Sequence, residues 1–426
     1  MVNIHPPPLA AACGRPPRRR KVAIIQRSLR PFVLRTYPNP MSSSFDGSGG
    51  AVHGARSDEI LGSAEEALAY IKTIPPRQGA SMQGVPFEKH DGVVRVGAIG
   101  VGGRGASQMK EMLAVEGMQY VAIADRDQGL LDHALGAIEA AGQPKPVVFG
   151  PGEDSWKQLC EHPDIDLVYI ATGWELHVPM ALYAMECGKH AAMEVPAAVN
   201  LRDCWAMVDT SERTRKHCIQ LENCCYGQQE MMVLNMCNEG KFGTITHGEA
   251  AYIHEMRDSL LGPKAGVQPN WRRKAITSND GNLYPTHGLG PVSWYMGINK
   301  GDVFEKMVSM SSPSAALTER RDDTTEEADP RRQEDYVCGD MNTTIIKTAK
   351  GRTIMLQHDI VSPRPYTRHN LVQGSKGCFA DYPPRLFLDQ SSDNEGQMGS
   401  HDWEDAGEGT AVMEKYISTS VTCDTA

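Results

Sequence analysis

No run of apolar residues in this 426-residue sequence reaches about 18, so no segment reads as a membrane-spanning helix. No two of its eleven cysteines are spaced C-x-x-C, and eleven is an odd number. That argues against both a zinc framework and a disulfide framework, and leaves reduced, mostly buried thiols. Basic charge is in deficit: 43 Lys and Arg against 53 Asp and Glu give a net charge of -10. A nucleic-acid partner, whose phosphates call for clustered cations, is therefore disfavoured. No internal repeat is visible. What is present is ordinary for a globular chain, 40% hydrophobic and 23% charged, and the length suits two or three domains.

Acid is missing from the first 45 residues, which carry eight Lys or Arg; the first carboxylate is Asp46. Pro6-Pro7-Pro8, Pro16-Pro17 and the run Arg18-Arg19-Arg20-Lys21 fit a disordered arm and linker over 1–91. A secretory signal follows its charges with an apolar stretch of about 7–15 residues. Here Val22-Ala23-Ile24-Ile25 stops at Gln26-Arg27. The reading favours a cytoplasmic protein, with export as the alternative; a start at Met41, which opens a Ser/Gly-rich linker, is equally consistent. One short helix is expected over 58–73, capped by Ser57 or Ser63.

From Val93 the pattern becomes strand, helix, strand. Strands are expected at 93–99, 120–124, 147–149, 166–171, 190–195 and 218–222. Helices are expected from about Ala106, at 127–141, at 178–187 and at 201–215. Strands alternating with helices imply a parallel sheet with right-handed crossovers, a doubly wound Rossmann-type domain over 92–224. Beyond Lys241-Phe242-Gly243 the runs 244–253, 303–311, 336–348, 352–361, 368–374 and 377–381 read as strands without intervening helices, with Ala349-Lys350-Gly351 as a hairpin turn. The fold class is α/β: an N-terminal doubly wound parallel sheet, then an α+β domain over 225–426 with an open, mainly antiparallel sheet. The charge-rich segment 319–335 reads as a solvated loop.

Gly100-x-Gly102-x-x-Gly105 lies between a strand and a helix, which is the context a dinucleotide fingerprint requires. Gly100 permits the tight turn, Gly102 lets backbone approach a pyrophosphate, and Gly105 allows close helix–strand packing, with the helix N-terminus facing the negative charge. Asp125 ends the next strand, where a carboxylate bonds ribose hydroxyls and repels a 2'-phosphate. The expected cofactor is NAD, with Arg126 the one feature favouring NADP.

Ligands of this fold sit beyond the carboxyl ends of the strands. One such end reads Thr172-Gly173-Trp174-Glu175-Leu176-His177; Trp174 and His177 either flank a nicotinamide or pack the helix entry. Another reads Glu194-Val195-Pro196, where a buried carboxylate needs a partner. A third reads Glu222-Asn223-Cys224-Cys225-Tyr226; Asn223 is a candidate cofactor contact, and Tyr226 is ligand-facing or core. Further on, Tyr284 and His287 stand three apart within Gly281-Asn282-Leu283-Tyr284-Pro285-Thr286-His287-Gly288-Leu289-Gly290-Pro291. On one helical turn they would share a face, and a phenol and an imidazole there can pass protons. Tyr252, Arg272 and Tyr366 are polar or aromatic residues of the second domain that read singly as surface or packing. No metal site is visible.

These residues carry a resemblance. Residues 93–225 resemble the glucose–fructose oxidoreductase/inositol dehydrogenase superfamily (Gfo/Idh/MocA). Its dehydrogenases usually have Glu-Lys-Pro where this chain has Glu194-Val195-Pro196, and an Asp four residues before the catalytic His where this chain has Leu283. Both departures are similar to glycoside hydrolase family 109, the NAD-dependent α-N-acetylgalactosaminidases, over roughly residues 92–390. Its marks are Gly102-Gly103-Arg104-Gly105, Trp174-Glu175-Leu176-His177, Glu194-Val195-Pro196-Ala197 and the Tyr284–His287 run. The resemblance implies acid/base roles for Tyr284 and His287. It implies substrate contacts at Tyr252, Arg272, Tyr284, Pro285, Thr286, His287 and Tyr366. It implies NAD contacts at Gly103, Arg104, Asp125, Trp174, Glu175, Leu176, His177, Glu194, Val195 and Asn223.

The implied activity is hydrolysis of terminal α-linked N-acetylgalactosamine by NAD-dependent oxidation, elimination and addition, with the cofactor recycled. Glycosidases that use NAD stand outside the usual pair of carboxylates. The implied partner is a glycan or small-molecule glycoside, and an exposed sheet would suit a homodimer. The family chain also continues through a His-Gly-Gly motif and further helices that this sequence reads as lacking. A net sugar oxidoreductase and a degenerate NAD-binding protein are the alternatives.

Overall fold

The segment Val94–Ile99 carries one charge, Arg95, and is otherwise small or apolar, as a strand covered on both faces must be. In the computed structural model, which describes residues 81–82, 84–87, 92–262, 271–389 and 402–417, it forms the centre of a parallel sheet. The expected helix over 58–73 and almost all of the basic arm lie outside these residues. Strands β1 (Val94–Ile99), β2 (Met118–Ala124), β3 (Val147–Phe149), β4 (Leu167–Ile170), β5 (His190–Met193) and β6 (Cys218–Gln220) take the order β3-β2-β1-β4-β5-β6. All neighbours are parallel.

Helices α1 (Gly103–Met112), α2 (Gln128–Ala140), α3 (Ser155–Glu161), α4 (Trp174–Glu186) and α5 (Leu201–Thr214) connect these strands. On one face Val96, Ala98, Tyr120 and Ile123 pack with Met109, Leu131 and Ile138. On the other, Ala122, Val168 and Ile170 pack with Val178, Ala181 and Met185. The strand order turns back between β1 and β4, which opens a crevice at their carboxyl ends. Two helices begin earlier than expected. Helix α1 starts at Gly103 rather than near Ala106, and α4 at Trp174 rather than 178, so both sequence motifs form first turns pointing at the crevice.

The second half opens with a 3-10 turn (Asn223–Tyr226) and α6 (Gln228–Asn238). An eight-stranded sheet follows, built from β7 (Ile245–Ile253), β8 (Phe304–Ser311), β9 (Asn342–Thr348), β10 (Thr353–Asp359), β11 (Leu371–Gly374), β12 (Gly377–Ala380), β13 (Arg385–Leu388) and β14 (Glu404–Asp405). Its order is β14-β13-β12-β11-β7-β10-β9-β8. Every pairing is antiparallel except β7 with β10. Between the strands come α7 (Arg257–Leu261), α8 (Trp271–Ser278), α9 (Thr286–Tyr295) and α10 (Ala316–Thr324), and α11 (Ala411–Ile417) closes the series.

Met232, Met236, Val292, Tyr295, Met413 and Tyr416 from α6, α9 and α11 pack on Ile354, Leu356, Val372 and Phe379. Helix α9 approaches β7 closely because Gly288 lacks a side chain: a Cβ there would stand 2.4 Å from the Ala251 amide nitrogen.

The segment 319–335 is largely exposed, as expected, but it is not a loop. It holds most of α10 and a 3-10 turn, Pro330–Gln333. Its arginines are used internally. Arg321 is buried and donates to the carbonyls of Arg331 and Glu334. Arg331 donates to the Leu261 carbonyl, and Glu334 pairs with the buried Arg273. These arginines satisfy backbone carbonyls, while Glu319, Asp322, Asp323, Glu326, Glu327 and Asp335 stay exposed.

Candidate functional site

The nucleotide end is built by the β1–α1 turn. Gly100 has φ +82°, and a Cβ on Gly105 would stand 2.0 Å from the Gly100 carbonyl oxygen. The space at Gly102 is taken by Leu130, whose side chain a Cβ would meet at 2.6 Å. Gly103 faces open space, and the first turn of α1 has no acidic residue and no side-chain cap. Uncapped N–H groups beside open room fit an anion. Asp125 ends β2 with each oxygen accepting one backbone N–H, Oδ2 from Val101 (2.9 Å) and Oδ1 from Asp127 (3.0 Å). Lone pairs remain on both for hydroxyl donors.

Glu194, just past β5, is buried between two partners: Arg104 Nε at 3.1 Å from Oε2, and the Tyr169 hydroxyl donating to Oε1 at 3.1 Å. Two expected cofactor contacts thus hold each other across the crevice. His177 is buried with Nδ1 2.8 Å from the Pro196 carbonyl and Nε2 3.0 Å from that of Thr172. Burial holds its pKa below the usual value. It ties two strand ends together, which is the packing reading of that residue. Glu175 is exposed and pairs with Lys274, Leu176 is exposed, and Asn223 is exposed at the carboxyl end of β6. Tyr226 is exposed and lies edge-on to Trp294.

The expected substrate residues meet around Tyr252 at the end of β7. Its ring lies 4.7 Å from Tyr284, 5.4 Å from His287 and 6.3 Å from Tyr366, between centroids. Its hydroxyl meets His254 Nδ1 (2.9 Å) and accepts from Arg272 Nη1 (3.3 Å). The Arg272 guanidinium lies within 6 Å of four rings: Trp174 (5.5 Å), Tyr252 (5.9 Å), Trp271 (5.0 Å) and Tyr284 (4.9 Å). Such an aromatic surround holds a cation by its ring faces.

Trp174 stacks on Tyr284 at 5.8 Å, which joins the first turn of α4 to the second half of the chain. Tyr284 is buried, its hydroxyl donates to the Val195 carbonyl at 3.4 Å, and burial pushes its phenol pKa well up. Pro285 caps α9 and Thr286 and His287 open it, so Tyr284 precedes the helix rather than lying on it. The Tyr284 and His287 rings nonetheless meet edge to face at 4.9 Å.

Three residues near this cluster had no role assigned from sequence. Glu222 binds His287 Nδ1 through Oε1 at 2.7 Å. It follows a strand end, the same signal that singled out Glu194. His254 is two residues past Tyr252, the spacing that keeps side chains on one strand face. His358 stacks on Tyr252 at 6.3 Å, is buried, and makes no hydrogen bond through either ring nitrogen; burial pushes its pKa down to about 3. Only the β7–β10 pairing, Tyr252 opposite His358, brings it here.

Among the described residues Glu222, Cys224 and His287 bring an oxygen, a sulfur and a nitrogen within 4.8 Å. The oxygen and nitrogen are already bonded to each other, and burial keeps the thiol protonated, pushed up to about 12. The group is a carboxylate–imidazole dyad beside a thiol.

Residues 226–418 match the family described as glycosyl hydrolase 109, C-terminal domain, and residues 94–221 match the oxidoreductase family, NAD-binding Rossmann fold. A glycosyl hydrolase family 109 protein of Shewanella pealeana is 47% identical over 343 residues, 79% of this chain and 73% of that one. One from Saccharopolyspora erythraea is 45% identical over 337 residues, again 79% and 73%. A solved NAD-binding oxidoreductase of Klebsiella pneumoniae superposes with a TM-score of 0.57 at 18% identity, covering 71% of this chain and 78% of that one. A scyllo-inositol dehydrogenase of Lactobacillus casei, solved with NAD(H) and scyllo-inositol, gives 0.51 at 15% identity, covering 68% and 76%.

The two structures show a common fold. The turn at Gly100–Gly105 and the carboxylate of Asp125 fit the NAD-binding assignment, and NAD is the cofactor. With its carboxyl-terminal half matching that family's domain and its sequence nearly half identical to full relatives, the chain belongs to glycosyl hydrolase family 109.

Proposed function

We propose that this chain hydrolyses terminal α-linked N-acetylgalactosamine, with Tyr284 and His287 as its acid/base pair. The observation that carries the reading is the contact of those two rings beside Val195, a residue with no proton to give, at the strand end where sugar dehydrogenases of the superfamily carry a lysine. NAD, when bound, supplies the acceptance and return of hydride at a sugar carbon. The residues of the chain do the rest. The N-terminus of α1 with Gly103 and Arg104 holds the pyrophosphate, and Asp125 the ribose. Burial keeps the Tyr284 phenol protonated, which suits it to donate to the departing oxygen at C1. His287 takes and returns the proton at C2. Arg272, held among four rings, supplies fixed positive charge to the sugar, and Tyr252 and Tyr366 line it.

The test is cleavage of an aryl α-N-acetylgalactosaminide in D2O with NMR of the released sugar. Release with deuterium at C2 and no accumulating NADH is expected. Release without deuterium overturns the oxidation–elimination route. NADH accumulating with a keto sugar makes the chain a net oxidoreductase. No release by folded, NAD-loaded protein overturns the glycosidase reading. The apolar outward face of β8 and β9, with Val308, Met310 and Ile345 exposed, also supports a homodimer.

A further inference from the structure

We infer that Glu222 is a positioning residue that fixes His287 as the Nδ1–H tautomer and so makes Nε2 the base at the sugar. The inference rests on the proposed role of His287. Glu222 stands just past β6, at the carboxyl edge of the parallel sheet, and only 7% of it is exposed. Its Oε1 lies 2.7 Å from His287 Nδ1 and also accepts the Cys224 amide at 3.0 Å. Oε2 is buried and accepts no hydrogen bond.

Space for the Glu222 side chain and its neighbour Cys225 is cut into α9. A Cβ on Gly290 would stand 2.9 Å from Cys225 Sγ and 3.0 Å from Glu222 Cγ. The glycine that follows His287 by three residues therefore admits the residue that orients it.

A carboxylate offers lone pairs and no proton when ionised. Burial works against its charge, but the hydrogen bonds from His287 and the Cys224 amide outweigh that and hold its pKa below the usual value. The shared proton therefore sits on Nδ1, and Nε2 carries the free lone pair. When Nε2 takes the C2 proton, the C–H electron pair stays with the sugar. The imidazole becomes a cation beside a carboxylate that need not itself be protonated, the arrangement known from serine hydrolase triads.

Capping the 3-10 turn is the competing role, and Glu222→Gln separates the two. Glutamine keeps an oxygen for the Cys224 amide but also offers an N–H to Nδ1, so the tautomer is no longer dictated. In the NAD-loaded full chain, kcat on the aryl glycoside is expected to fall by roughly 10^2 to 10^4, as when the orienting carboxylate of a triad becomes an amide. KM and NAD affinity should stay near wild type. Nitrogen-15 NMR of histidine-labelled wild type should show His287 protonated on Nδ1, and the variant should lose that preference.

Near wild-type kcat in Glu222→Gln, with His287→Ala inactive, overturns the dyad and leaves the proposed function standing. Wild-type turnover in His287→Ala removes the proposed function instead. A proton on Nε2 in the wild type overturns the inference whatever the activity, and that measurement decides alone if Glu222→Gln does not fold.

Discussion

Tyr284 and His287 are neighbours whose surroundings set them apart. The phenol rests against the Val195 carbonyl among aromatic rings, while the imidazole has a carboxylate behind it. Tyr284→Phe keeps every ring contact and loses one long hydrogen bond. It should therefore lower kcat by about 10^2 to 10^4, the usual share of one acid or base, while the melting temperature and NAD affinity hold. His287→Ala should lower kcat at least as far, with NAD still bound by calorimetry; near wild-type turnover in both would remove the pair from the mechanism. Asp125→Ala removes a charged acceptor, so NAD affinity should fall by roughly 10- to 100-fold, and an unchanged Kd would undo the ribose assignment. Asp125, Tyr284 and His287 were legible because each sits in a local motif. The contact of Glu222 with His287 was not, since the two are 65 residues apart and no spacing announces such a pair.

At the scale of elements all six strands of the Rossmann half were readable, but α3 was not expected, and the second half, expected to run from strand to strand without helices, places α7, α8, α9 and α10 between them. The second sheet was readable as mainly antiparallel, but its one parallel pairing, β7 with β10, depends on which strands meet rather than on their composition. That pairing carries His358 to Tyr252. Charge announced an exposed segment at 319–335 but not its helix, because a buried arginine such as Arg321 and a solvated one look alike in sequence. The contact of α9 with β7 sets the distance between Tyr252 and the start of α9, where His287 lies. Gly288→Ala would drive a Cβ to 2.4 and 2.6 Å from the Ala251 nitrogen and oxygen. Backbone cannot rotate aside, so the helix must shift. A loss of about 1–3 kcal/mol is expected in chemical denaturation, with kcat falling alongside; unchanged stability and turnover would mean that α9 has slack against the sheet.

Across the whole molecule, the proposed catalytic cluster depends on both halves. Trp174 and Val195 come from the parallel half, Tyr252, Arg272 and Tyr284 from the other, and one buried cluster holds four of these five. The second sheet is not treated evenly on its two faces. Helices α6, α9 and α11 cover one face, while on the other the register sets Val308 opposite Ile345 and Ile345 opposite Met355. Met310 is 73% exposed, Val308 58% and Ile345 42%, while a register shift between Phe304 and Lys306 turns Phe304 to the other face. Apolar side chains grouped on one exposed sheet face are the kind of surface that a partner chain would cover. Strands at a sheet edge are normally blunted by charge, and β8 offers only Glu305 and Lys306. A second copy of this chain is the expected cover, because one twofold contact of like faces closes on itself. Light scattering after gel filtration should give twice the 46.6 kDa of the chain. Met310→Glu combined with Ile345→Glu should return it to that mass with the circular dichroism spectrum unchanged. A wild-type protein that elutes at the mass of one chain, at micromolar concentration, would leave this face without a partner of its own kind and overturn the homodimer.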